Sequence, residues 1–128
     1  MKKQTLHIEF DLSFQLMGIS CHLRDYRFAW NINKTLGVDF SKKEAFFDGK
    51  TFSKFEYFSD PEYAYIFANK GREGFLIKNK KNVDYWLVFS PTTSHSTVLV
   101  WQEQLRKIKD VLVVYSEENK KIKEHFIF

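Results

Sequence analysis

One cysteine, two prolines and five glycines are spread over 128 residues, and each scarcity narrows what the chain can be. A lone Cys21 forbids an internal disulfide and cannot supply the thiolate set of a zinc ribbon. His7, His22, His95 and His125 fall at no metal-ligand spacing, so no metal site is expected. Cys21 and His22 are adjacent on an extended stretch and point to opposite faces, which excludes a thiol–imidazole dyad. The only glycine pair near basic residues, in Lys70-Gly71-Arg72-Glu73-Gly74, lies between apolar runs and opens no helix. It reads as a tight turn and not as a phosphate loop. No apolar run approaches the roughly 20 residues of a membrane span. Met1-Lys2-Lys3 leads into a charged, alternating stretch and not into a signal core, so a cytoplasmic protein without cofactor is expected.

What the chain has in excess is aromatic side chains: they make up 18% of it, with 14 phenylalanines. The length suits one domain able to bury roughly two-thirds of the surface its unfolded form exposes. A formal charge of +4 and a pI near 9.1 lean toward anionic partners. A chain rich in Lys, Asn, Phe and Ile also acquires that lean from nucleotide composition alone.

The organising stretch runs from Gly74 to Ser90. Phe75–Ile77 and Val83–Phe89 flank the polar Lys78–Asn82, which predicts a β-hairpin with a basic tip. Val83, Tyr85, Leu87 and Phe89 against Trp86 and Val88 make a strand apolar on both faces, and such a strand sits centrally. Upstream, Leu6 to Leu16 alternate with polar residues, and Met17, Ile19 and Cys21 continue into deeper burial past a bend near Ser13. Asp25 is expected to cap a helix over 26–36, stopped by Gly37. Residues 38–50 read as an irregular crossing with Asp48-Gly49 as a turn. Thr51–Phe58 and Tyr63–Asn69 form a second predicted hairpin through Ser59-Asp60-Pro61-Glu62, a type I turn. Ser94 or Ser96 caps a second helix carrying Val98, Trp101, Leu105, Ile108 and Leu112, followed by a strand at 111–115, a charged segment and an apolar tip at Phe126–Phe128. The order predicts an α+β domain over 1–128, a mostly antiparallel sheet of five or six strands with two amphipathic helices on one face.

Ile77 followed by Val83-Asp84-Tyr85 resembles the IPExxxVDY family, small bacterial proteins, chiefly from Bacteroidetes, without an assigned function. Gly18-Ile19-Ser20, Asp25-Tyr26-Arg27, Trp30 and Gly74–Ile77 are similar to the family's layout, so the likeness covers nearly the whole chain. Lys78 and Asn79 stand where the family name has Pro and Glu. The resemblance implies no activity, cofactor or partner.

Three functional readings follow. The leading one is a non-enzymatic module that binds a protein or a second copy through an exposed aromatic sheet face; Phe55, Tyr57, Tyr63, Tyr65 and Phe67 are its candidate surface, or else core. The second is an RNA-binding accessory domain using Lys78, Lys80 and Lys81 at the basic tip, although the aromatic positions of an RNA-recognition motif fall on Ile77 and Lys80. The third is an enzyme of unknown type, requiring a pocket that joins Asp25, Arg27 and Asp84. Those residues with Tyr85 form either a polar site or a structural arrangement in which Asp84 pairs a backbone amide or an arginine.

Overall fold

Tyr85–Phe89 is buried residue by residue, which a strand achieves only with a strand on each side and cover above and below. The computed structural model, which describes residues 12–127, provides both. The elements run β1 (Leu16–Cys21), α1 (Asp25–Leu36), β2 (Ser41–Phe47), β3 (Lys50–Ser59), β4 (Glu62–Ala68), β5 (Lys70–Gly71), β6 (Gly74–Phe75), β7 (Tyr85–Phe89), α2 (His95–Arg106), β8 (Val111–Ser116) and the short α3 (Lys120–Lys123), with a 3₁₀ turn at Glu124–Phe126. Six strands form one antiparallel sheet in the order β2-β3-β4-β7-β1-β8, and β5 and β6 make a separate two-stranded ribbon. The fold is α+β, as the pattern of the sequence predicts. The expected residues 6–11 of the first strand lie outside the described residues, as does Phe128.

Strand alternation sorts the core into two clusters. Met17, Ile19, Phe55, Ile66, Leu87 and Val114 face α1 and α2. Leu16, Phe52, Phe67, Trp86 and Val88 face the other way, where Leu76, Ile77 and Val83 of the 76–83 loop and Ile122 and Phe126 of the C-terminal segment cover them. This second cover stands opposite the face that carries the two expected helices, and it is made of loop and C-terminal segment. Its physical origin is the even-numbered half of β7, since Trp86 and Val88 are too large and apolar to be left wet.

The central hairpin is also corrected. Phe75 pairs with Lys70, not with β7, whose neighbours are β4 and β1. Residues 76–84 instead fold back through two turns, Lys80 N–H to Ile77 O and Val83 N–H to Lys80 O. Asn69, fully buried, holds them: Oδ1 accepts from Ile77 N at 2.9 Å and Trp86 Nε1 at 3.0 Å, while Nδ2 donates to Lys80 O and Val83 O, both at 2.9 Å. That uses the full capacity of an amide side chain.

Residues 41–47 are a strand and not an irregular crossing. β2 lies at the sheet edge, its first four residues exposed, so Ser-Lys-Lys-Glu shows no apolar alternation. Asp48 (φ 51°) and Gly49 (φ 76°) make the tight turn to β3 that the sequence predicts. Ser59 pairs with Glu62 and the Asp60–Pro61 peptide is cis, so Pro61 is the third residue of a type VI turn, in place of the type I turn expected. At the opposite edge, Leu112 is the extra residue of a bulge in β8, and the Val114 carbonyl accepts from Arg106 Nη2 at 3.0 Å and Gln102 Nε2 at 3.4 Å.

Candidate functional site: an aromatic and cationic surface around the start of the first helix

α1 forms because Phe28, Ala29 and Ile32 recur on one face and Gly37, at φ 68°, ends it in the left-handed conformation. Its N-cap position is Arg24, whose side chain makes no capping bond. Asp25, predicted as the cap, is instead the first helical residue, and its Oδ1 lies 3.0 Å from the Tyr85 hydroxyl. Phe28 stacks on the Tyr85 ring at 4.1 Å between centroids, which orients the helix over β7. The consequence lies on the outer side. Tyr26 and Trp30, one turn apart, remain 72% and 60% exposed, and with Arg27 they line an open cleft of about 520 Å³.

A second open cleft of about 570 Å³ adjoins it through Tyr26. Its acids are Asp25 and Asp84; its cations are Arg24, Lys42 from β2 and Lys70 from β5. The two acids are held by the protein's own donors. Asp84 Oδ2 accepts the Cys21 backbone N–H at 2.8 Å, and Asp84 N–H donates to Ile19 O at 2.8 Å. Of the two arrangements weighed for Asp84, this is the pairing of a backbone amide. The Tyr85 hydroxyl lies 2.9 Å from Leu23 O as well as near Asp25, and its single proton is shared between those acceptors. Burial, reinforced by the Asp25 charge, pushes the Tyr85 phenol well above its ordinary range. Among the described residues none of Arg24, Arg27, Lys34, Lys42 or Lys70 makes an ion pair. Lys34 instead places Nζ 5.0 Å from the centre of the Trp30 ring.

Asp25, Asp84 and Tyr85 therefore share one cleft, while Arg27 lines the neighbouring one with Tyr26 and Trp30. Cys21 lies buried behind them, and burial raises its thiol pKa to about 11. His22, next to it, is exposed. No group of three or more His, Cys, Asp or Glu side chains arranged to hold a metal occurs among the described residues.

The five hairpin aromatics do not form one surface. Phe55 and Phe67 are core on opposite faces of the sheet. Tyr57 is half-buried on the helix side against Phe40 and Trp101. Tyr63 and Tyr65 line a groove of about 400 Å³ on the other face with Phe14, Pro91, Phe126 and Ile127. Lys78, Lys80 and Lys81 are no hairpin tip. Lys80 lies 3.6 Å from Glu117 and over the Tyr115 ring, and Lys81 lies over Phe75. Sequence reasoning gave no functional place to Asn69, Lys42 and Lys70, and it named Tyr26 and Trp30 only in the family likeness. Two large aromatics at i and i+4, with Arg27 between them and Lys34 one turn further on, were the available signal.

Comparison with protein-family models and with curated protein sequences finds no match to this chain.

Proposed function

We propose that the chain is a non-enzymatic cytoplasmic interaction module that engages a protein partner through the outer surface of α1. The observation that carries this is the exposure of Tyr26 and Trp30 with Arg27 between them, on a helix whose other face is anchored to the core. Trp, Tyr and Arg are the residues that dominate interface energetics, because they desolvate large areas while keeping a polar handle. Loss of such area to water has no structural return in the isolated chain, whereas a partner recovers it. The Ile77 to Tyr85 stretch, on which the likeness to the IPExxxVDY family rests, serves this module as scaffold: Asn69 pins Ile77 and Val83, and Tyr85 seats Phe28 of α1.

The test is photo-crosslinking in the native cells with a photoreactive amino acid at position 30, and at exposed Leu112 as control. A discrete protein adduct from position 30 alone is the expected result. A nucleic-acid adduct, or equal labelling from both positions, overturns the proposal.

A further inference from the structure

Resting on that reading, we infer that the partner segment is an acidic peptide, its apolar residues seated at Tyr26 and Trp30 and its carboxylates taken up by Arg24, Lys42 and Lys70. The charges of the cleft are unevenly used. Asp84 is bonded to the Cys21 amide and Asp25 to the Tyr85 hydroxyl, so both acids are held within the fold. The three cations face them from three different elements, the start of α1, β2 and β5, and none makes an ion pair among the described residues. With three cations against two carboxylates the cleft carries one positive charge in excess, which an anionic partner offsets.

The chain's own net charge of +4 argues against a second copy as the occupant, since like-charged surfaces would be brought together. One feature argues against single-stranded nucleic acid. Asp25 and Asp84 stand in the same cleft, in the path of a phosphodiester backbone that carries charge at every step. A peptide spaces its carboxylates, presents apolar side chains between them and brings backbone N–H groups that the two acids can accept.

Fluorescence anisotropy tests this with labelled peptides of alternating glutamate and leucine, alternating glutamine and leucine, and alternating lysine and leucine, and with oligouridylate. The glutamate peptide should bind best, weaken steeply with added salt, and lose at least tenfold in affinity to a protein carrying Lys42→Glu and Lys70→Glu. Both lysines are exposed, so circular dichroism melts of this variant should match the parent. Equal binding of the glutamine peptide, or indifference to the double charge reversal while Trp30→Ala abolishes binding, overturns the acidic-partner inference and leaves the α1 surface standing. Preferential binding of oligouridylate overturns both in favour of nucleic acid.

Discussion

Asn69 Oδ1 accepts the indole N–H of Trp86 at 3.0 Å, and this bond ties the central strand to the loop that covers it. The same side chain satisfies Ile77 N–H and the carbonyls of Lys80 and Val83. In Asn69→Ala three buried groups, Ile77 N–H, Trp86 Nε1–H and the Val83 carbonyl, lose this partner together, while the part-buried Lys80 carbonyl keeps the Val83 N–H. At about 1–3 kcal/mol for each group left unsatisfied, tempered by water entering the space, a loss of about 4 kcal/mol is expected. Urea denaturation measures it. A loss below about 1 kcal/mol would mean that the loop finds other partners and that Asn69 is no hub.

Gly18 lies beneath Tyr115. A Cβ there would clash with the ring, whose hydroxyl is held by Glu117 at 2.9 Å and which packs near Trp86. Gly18→Ala should therefore cost about 1–3 kcal/mol despite the better strand propensity of alanine. The double change with Tyr115→Ala should cost less than the sum of the two single changes, which a double-mutant cycle reads directly.

These two positions show how far the pattern of residues carries. Periodicity identified α1, α2, β7 as a central strand and the 51–69 hairpin, because each hides one or both faces and so shows its period. It failed at β2, an edge strand with four exposed residues that has no face to hide. It failed again at 75–83, where apolar runs around a polar pentapeptide satisfy a hairpin and a folded loop equally. A single asparagine decides between them, and its partners lie 8 to 17 residues away in sequence. The candidate site was legible only as residue types. Lys42 on the sheet edge and Lys70 in the separate β5–β6 ribbon come beside Arg24 only through the tertiary fold, which no local window contains.

Cys21 predicts a pH dependence. Burial raises its pKa from 9.0 to about 11, so the folded state holds the thiol proton more tightly than the unfolded chain does. Its contribution is complete below pH 9, declines between 9 and 11, and is gone above, amounting to on the order of 2 kcal/mol. The Tyr85 phenol, raised for the same reason, steepens the decline above its ordinary value of 10.0. Denaturation midpoints across this range should fall, and Cys21→Ala should make the fall shallower. A midpoint that stays level would contradict the burial.

Tyr26→Ser and Trp30→Ser, alone or together, should leave stability within about 0.5 kcal/mol, since neither side chain belongs to either core cluster. Thermal melts check this, and it is what makes the pair suitable for separating binding from folding.

Arg106→Ala should release the Val114 carbonyl at the β8 edge, next to exposed Leu112 and Val113. An apolar strand edge with an open acceptor templates pairing with another chain. Light scattering should show concentration-dependent association in the variant and not in the parent, with Gln102→Ala adding to the effect.

The order of the sheet has a consequence for how the chain comes into being. Among the described residues β1 pairs only with β7 and β8, so the strand at 16–21 has both neighbours supplied by residues 85–89 and 111–116. On the ribosome, β2, β3 and β4 can zip up as a meander while β1 and α1 wait with Met17, Ile19 and Phe28 unsheltered. They are released from waiting only when β7 slots between β4 and β1. Such late, distant closure makes for slow folding and a nascent chain that depends on protection during synthesis.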